Sequence, residues 1–161
     1  MARPRTNARV AAVQALFQAE QEPKPFEAVI DEFRRFRLGA AEDAEGFALG
    51  RVPAAHEALF AEIVNTACRE QVRIDALLTD ALAAEWPLER LDPVLRALLR
   101  AAAAELSRPD GPPVRVVINE YLDVAHAFFH GEEPRLVNGV LDRLARALRP
   151  GECTPPETPA P

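Results

Sequence analysis

Three arginines stand close together at the N-terminus of the chain, with no acidic residue among them. Arg3, Arg5 and Arg9 lie in MARPRTNARVAAVQALFQA, and the first carboxylate in the sequence is Glu20. Arg5 and Arg9 are four residues apart, so a helix would carry both on one face. A local positive patch of this kind can hold phosphates, so we predict a nucleic-acid contact here; the alternative is an ordinary charged terminus.

The charge of the whole chain has the opposite sign. The sequence contains 19 basic and 25 acidic residues, for a formal net charge of −6. Because a phosphate senses mainly the charges within reach, the local distribution matters more than the sum. Phe17 follows on the same predicted helix. It is either a core residue, which its place in the apolar stripe favours, or a surface on which a base could stack.

Residues that could perform catalysis or bind metal form no recognised pattern. His126 and His130 are four residues apart, but no third ligand or His-Glu-x-x-His pattern accompanies them, so a solvated helix face is favoured over a metal site. His56 has no evident Cys or Ser partner. No glycine-rich phosphate loop, nucleophile elbow or paired-carboxylate motif is present. We therefore predict a protein without enzymatic activity, cofactor or metal.

The composition is that of a globular protein in a reducing compartment. Of 161 residues, 48% are hydrophobic and 27% are charged. The two cysteines, Cys68 and Cys153, are far apart and lack a partner motif, which favours free thiols. No apolar stretch approaches the roughly 18 residues that span a bilayer. We therefore expect a cytoplasmic location without membrane contact.

Apolar residues recur with helical spacing in every long segment, so the predicted fold class is all-α, with about seven helices. The first helix is expected over about 6–20. Asp92 and Pro93 predict the start of the fifth, because Asp accepts hydrogen bonds from free amides and Pro suits the first helical position. Asp75 is a candidate N-cap for the fourth. The run Ala101–Ala104 would allow another helix to approach closely.

The dipeptide Asn138-Gly139 normally marks a hairpin turn, yet it lies inside PRLVNGVLDRL. Apolar residues flank it in pairs, which fits one face of a helix and does not fit a half-buried strand. We predict a helix, with Gly139 allowing tight packing at a cost of about 1 kcal/mol relative to alanine. Asn119 and Asn138 flank apolar stripes, and either they are solvated or they tie the last two helices together.

The chain is expected to form one helical domain over 1–149, with subdomains over about 1–52 and 53–149. The glycine-rich and acidic stretch 38–53 is predicted to be a mobile connection between them. The proline-rich tail over 150–161 is predicted to be disordered.

Four segments, taken in order, point to a family. They are ARPRTNARVAAVQALFQAE, LLRAAAAELS, PPVRVVINEYLDVAHAFF and RLVNGVLDRL. Together they closely resemble the NusB family of transcription antitermination factors. Each segment alone is modest, but the order and spacing hold over residues 2–148, nearly the whole chain.

The resemblance implies an all-helical fold of two small packed subdomains and binding to a boxA-type single-stranded RNA. In the family pattern, RNA contacts come from the N-terminal basic motif, the aromatic after Ala-Leu and the basic residue before Val-Asn-Gly. In this sequence those residues are Arg3, Arg5, Arg9, Phe17 and Arg135.

The resemblance also implies a heterodimer with the small-subunit ribosomal protein NusE. The pair would act in the RNA polymerase antitermination complex, promoting read-through in ribosomal RNA operons. The implied partner surface combines the fifth and sixth helices with the acidic turn before the last helix. Its candidate residues are Arg96, Arg100, Glu132 and Glu133.

A second class of function stays open from the residues alone. The chain could be a helical protein-interaction module or a homodimeric scaffold with no role in RNA binding. An apolar surface left uncovered after the core is built would favour that alternative.

Overall fold

The computed structural model describes residues 3–39, 52–53 and 55–153. Within these ranges the chain forms seven α-helices and so confirms the predicted all-α class. They are α1 (Pro4–Gln21), α2 (Phe26–Phe36), α3 (Glu57–Arg69), α4 (Gln71–Ala81), α5 (Pro93–Leu106), α6 (Val114–Phe128) and α7 (Glu133–Leu148). Two short 3₁₀ helices, Leu88–Arg90 and Pro150–Glu152, and two strands, β1 (Leu38–Gly39) and β2 (Val52–Pro53), complete the described elements.

Helix α5 is the centre of the bundle, because it packs against α1, α3, α4, α6 and α7. The four alanines Ala101–Ala104 are completely buried, so their small side chains let neighbouring helices approach α5 on several sides. On another side of the core, the rings of Phe33 and Phe60 stack with centroids 5.5 Å apart and join α2 to α3.

The N-termini of the helices are stabilised in different ways. The Asp92 carboxylate accepts hydrogen bonds from the amides of Val94 and Leu95 at the start of α5, as predicted from the Asp-Pro signal. His56 caps α3, since its Nδ1 accepts from the Leu59 amide at 3.1 Å, which gives this histidine a structural role. Helix α1 begins with Pro4 and has no side-chain cap at Arg3, so tertiary contacts must hold its first turn.

Two predicted boundaries are wrong. Helix α4 begins at Gln71, one turn before Asp75, and Asp75 pairs with Arg100 instead of capping the helix. Residues 150–153, predicted to belong to a disordered tail, are ordered: Glu152 accepts a hydrogen bond from the Val114 amide at 3.1 Å.

The predicted connection over 38–53 is described only at its ends. There β1 and β2 pair in parallel, with Leu38 opposite Val52. Residues 40–51 and 154–161 lie outside the described ranges. The division into subdomains at about residue 52 stays a prediction.

Helix α7 runs through Asn138 and Gly139 without a turn, which confirms that helical periodicity outweighs the turn dipeptide. The expected packing role of Gly139 is wrong, because a Cβ placed there would meet no atom within 4 Å. Asn119 and Asn138 are both exposed, so these amides are solvated and do not join the last two helices.

We expect Gly139→Ala to raise the free energy of unfolding by about 0.5–1 kcal/mol, because alanine loses less backbone entropy in a helix and has room here. Urea denaturation of both proteins would measure the difference. A loss of stability on this substitution would contradict the open surroundings of Gly139.

Candidate nucleic-acid interface

The N-terminal arginines do not form one surface patch. Arg3 precedes α1 and is 60% exposed, with one Nη 3.6 Å from Glu120 and 3.8 Å from Asp123, both on α6. Pairs of this length at an exposed site are weak, so a phosphate can replace the carboxylates. Arg3 is thus available at the surface.

Arg5 is also exposed and lines an open groove beside His56 and Arg108. Arg108 pairs with Glu62 there, whereas Arg5 makes no ion pair within the described part of the chain. Glu62 and Asp110 also line this groove, but within the described residues neither lies at ion-pair distance from Arg5.

Arg9 lies in the core and is only 2% exposed. Its guanidinium donates two hydrogen bonds to the Glu105 carboxylate, from Nε at 2.7 Å and from Nη2 at 3.0 Å. Glu105 is itself completely buried on α5. This position corrects the predicted role of Arg9 as an RNA contact, because the side chain offers no surface to a phosphate. Its role is to join α1 to α5.

The surroundings of Arg9 explain its ionisation. Burial by itself would lower its pKa, but the hydrogen bonds and the charge of Glu105 outweigh burial and raise the pKa further above the ordinary value. The Tyr121 ring lies 6.0 Å from the guanidinium carbon, and burial raises the pKa of Tyr121 well above its usual range. Arg9 is therefore always charged and Tyr121 always neutral at physiological pH.

Glu120 connects the start of α1 to α6. One carboxylate oxygen accepts from the Thr6 hydroxyl at 2.7 Å and lies 3.4 Å from Nη1 of Arg9, while the other faces Arg3. The backbone adds one further tie, since the His56 amide donates to the Pro4 carbonyl. These contacts replace the missing local cap and set the position from which Arg3 and Arg5 project.

Phe17 is half-buried and lines an open cavity of about 450 Å³ with Val94 and Phe128. Phe17 therefore partly fits both predicted roles, core residue and stacking surface, because one part of the ring packs on the core and the rest faces the cavity.

Arg96 and Arg100 belong to an internal network, which corrects their predicted role in partner binding. Both side chains are 12% exposed, and both pair with Glu20 of α1. Arg100 also forms a bidentate pair with Asp75, with distances of 2.8 and 2.9 Å. These contacts join α1, α4 and α5, and leave little surface for a partner.

The candidate residues at the start of α7 lie at the surface. Arg135 is 87% exposed and Glu132 is 90% exposed, and the two are 3.9 Å apart. Glu133 accepts a hydrogen bond from the Gly131 amide and so stabilises the turn. This acidic turn and Arg135 are accessible to a partner or to RNA.

The histidine pair does not form a metal site. His126 and His130 are both exposed, and His130 lies beyond the end of α6, so the two do not share a helical face. The described ranges contain no cluster of three His, Cys, Asp or Glu side chains that could hold a metal ion. Among those residues, no helix is both long and apolar enough to cross a bilayer.

Sequence reasoning missed Glu105 and Glu120, on which the position of α1 depends. Glu105 carried a signal, since it is the single acid within the apolar run ALLRAAAAEL and a buried acid needs a cationic partner. The sequence contains no signal for the role of Glu120, because an acid at the flank of a helix is expected to be solvated unless the neighbouring helix is known.

The sequence profile of the NusB family matches residues 6–146. The chain belongs to the NusB family. Two relatives, each named transcription antitermination protein NusB, agree with this membership. The protein from Granulibacter bethesdensis is 66% identical over 150 residues, covering 93% of this chain and 92% of its own. The protein from Gluconobacter oxydans is 54% identical over 149 residues, covering 92% and 91%.

Solved NusB structures share the fold of this family member. The T. maritima NusB structure has a TM-score of 0.70 and 26% identity, covering 94% of this chain and 98% of its own. A chain from the crystal structure of antitermination factors NusB and NusE in complex with dsRNA has a TM-score of 0.64 and 22% identity, covering 91% and 99%.

We expect Glu105→Gln to cost this NusB-family chain about 3 kcal/mol of unfolding free energy, because the buried Arg9 charge loses its bidentate carboxylate and keeps only Glu120, 3.4 Å from Nη1. Urea denaturation would measure the cost. Arg146→Ala is the control, since it removes only an exposed pair with Asp142 and should cost less than about 1 kcal/mol. Equal losses in the two variants would contradict the importance of the buried pair.

The Arg96–Glu20 contact predicts a dependence of stability on pH. The hydrogen bond from Arg96 holds the pKa of Glu20 below its ordinary value. Glu20 therefore stabilises the fold above the pKa it has in the unfolded chain, and this contribution is lost as the pH falls through the lower folded-state pKa. Glu20→Gln should thus flatten the acid side of a stability profile measured by urea denaturation. An unchanged profile would contradict this role.

Proposed function

We propose that this chain is a transcription antitermination factor that binds boxA-type single-stranded RNA together with the ribosomal protein NusE. The observation that carries the proposal is 66% identity, over nearly the whole chain, to a protein named for transcription antitermination. A structure of the same fold, of antitermination factors NusB and NusE in complex with dsRNA, supports NusE and RNA as the partners. The proposed action is read-through within the RNA polymerase complex of ribosomal RNA operons.

Arg3 and Arg5 are the proposed phosphate contacts at the start of α1. Both are exposed, Arg5 has no carboxylate partner within the described ranges, and the partners of Arg3 are 3.6 Å and 3.8 Å away. Arginine suits this role, because its planar guanidinium can donate two hydrogen bonds to one phosphate or to a guanine edge. Phe17 offers the exposed part of its ring to a base, and Arg135 offers a further cation.

The proposed contact with NusE lies at the exposed turn of Glu132 and Glu133, next to Arg135. Because Arg135 is a proposed RNA contact beside this turn, RNA and protein would bind to adjoining surfaces there. Two modest contacts made within one complex reinforce each other, because the first raises the effective concentration for the second. This coupling allows a protein of net negative charge to bind RNA through a small local patch of arginines.

The proposed role is that of a non-enzymatic adaptor in the cytoplasm. The residues with titratable side chains described above serve helix caps, ion pairs and solvated faces, and none is arranged as a nucleophile with its base.

Replacing Arg3 and Arg5 together by alanine should weaken binding of a boxA-like RNA about ten-fold and flatten the slope of log affinity against log salt by about 1.4, because two phosphate contacts to a single strand are lost. Fluorescence anisotropy of labelled RNA at several salt concentrations would measure both quantities. Circular dichroism should remain unchanged, since both side chains are exposed.

The matched control is Arg34→Ala with Arg35→Ala, which removes the same charge from the exposed end of α2. Equal losses in the two double variants would contradict a specific role for Arg3 and Arg5. Adding NusE to the wild-type titration should increase RNA affinity. No gain on adding NusE would contradict the proposed joint recognition.

A further inference from the structure

Arg149, the residue that follows α7, is packed against the turn over 107–113 that joins α5 to α6. Its side chain is only 9% exposed. The guanidinium donates to four backbone carbonyls, and all four belong to the end of α5 or to this α5–α6 turn. They are the carbonyls of Glu105 at 3.0 Å, Leu106 at 3.0 Å, Arg108 at 2.7 Å and Pro112 at 2.6 Å. One side chain from beyond the last helix thus fixes the course of the turn.

The charges at this place suit both helix ends. The last carbonyls of a helix carry a partial negative charge, and Glu105 adds a buried carboxylate to the last turn of α5, so the cation of Arg149 is favourable there. Helix α6 has no side-chain cap of its own at Pro113. Its first amide, of Val114, donates instead to Glu152 at 3.1 Å. Arg149 and Glu152 therefore hold the two helix ends that the turn connects.

Gly111 provides the room that the guanidinium of Arg149 needs. A Cβ placed on Gly111 would lie 2.9 Å from Nη2 of Arg149 and 3.2 Å from the carbonyl oxygen of Glu105. A side chain at this position would therefore displace the guanidinium from the carbonyls that it binds. The close contact between Arg149 and the turn depends on the absence of a side chain at Gly111.

The α5–α6 turn also forms one wall of the groove that contains Arg5. From this wall Arg108 extends to Glu62 of α3, with one Nη atom 2.5 Å from the carboxylate, and the same atom lies 3.6 Å from Asp110. Arg108 thus engages the carboxylates of the groove lining, and neither of them pairs with Arg5 within the described residues. Since Arg149 binds the Arg108 carbonyl, it holds the backbone from which this side chain extends.

We propose that Arg149 is a positioning residue for RNA binding, because it holds Arg108 where that side chain engages Glu62. With Glu62 occupied, Arg5 is left free to bind a phosphate. Movement of the turn would release Glu62 into the groove that it shares with Arg5, where its carboxylate would compete with the phosphate. The inference rests on the proposed role of Arg5 in RNA binding and extends it to a buried residue that does not itself contact RNA.

Arg149→Gln should weaken binding of a boxA-like RNA about three-fold and flatten the slope of log affinity against log salt by about 0.7, as expected for one lost phosphate contact to a single strand. Fluorescence anisotropy would measure both quantities, at a temperature at which circular dichroism shows the variant to be folded. The control is Arg146→Gln, which removes the same charge from the exposed face of α7 and should change neither quantity. Equal effects in the two variants would overturn the proposal.

A second substitution, Glu62→Gln, separates this positioning role from a merely structural one. It removes the competing carboxylate, so it should restore RNA affinity and salt slope to the Arg149→Gln protein. In the wild type it should change affinity less, because Arg108 already engages Glu62 there. A purely structural role of Arg149 predicts the same effect of Glu62→Gln in both backgrounds. Equal effects would overturn the proposal.

The Arg5→Ala background tests whether Arg149 acts through Arg5. Arg149→Gln should cause no further loss of RNA affinity there, because the cation that it keeps free is absent. A further loss of the same size would overturn the proposal.

Gly111→Ala is the second variant, since it crowds the guanidinium of Arg149 without changing any charge. It should lower RNA affinity in the same direction as Arg149→Gln. Wild-type affinity in both variants, with loss of binding in the Arg3 and Arg5 double variant, would overturn the positioning role and leave the proposed RNA-binding function intact. Absence of boxA-like RNA binding by the wild-type protein would overturn both.

Discussion

The ion pair between Arg9 and Glu105 joins two helices within the core, and much of the molecule is arranged around it. Both side chains are almost completely buried, and two hydrogen bonds connect them. Removing a guanidinium and a carboxylate from water is costly, and only close, bidentate geometry offsets that cost. The pair therefore holds α1 at one register against α5, the central helix. Because the first turn of α1 has no local cap, the positions of Arg3 and Arg5 depend on this pair and on Glu120.

The same constraint separates two kinds of arginine in this chain. Arg9, Arg96 and Arg100 pair with carboxylates inside the bundle and join helices to one another. Arg3 and Arg5 remain exposed at the start of α1, and Arg90, Arg135 and Arg143 are exposed elsewhere on the surface. A protein of net negative charge can still bind a polyanion, because a phosphate senses mainly the charges within a Debye length of it.

The predictable part of the fold came from local signals. Helical periodicity identified the helices, the Asp92-Pro93 start gave the observed cap of α5, and periodicity overruled Asn138-Gly139 as a turn. The predictions from sequence were wrong where the role of a residue depended on distant neighbours. Aspartate is a common N-cap residue, but Asp75 pairs with Arg100, and α4 starts earlier, at Gln71. Gly139 suggested close packing by type, but its open surroundings follow from the arrangement of α7 and the segment before α5, which no local pattern encodes.

The sequence by itself determined the all-α class, the family and the presence of arginines near a helix start, because these depend on residue order and periodicity. Only the tertiary structure decided which arginines are available. Arg3, Arg5 and Arg9 look equivalent along the chain, yet one of them faces a buried glutamate 96 residues away. Likewise, Asp75 and Arg100 are 25 positions apart and pair only because α4 packs against α5. Whether an arginine is buried, and whether a carboxylate neutralises its charge, depends on residues distant in sequence. Tertiary packing therefore determines both.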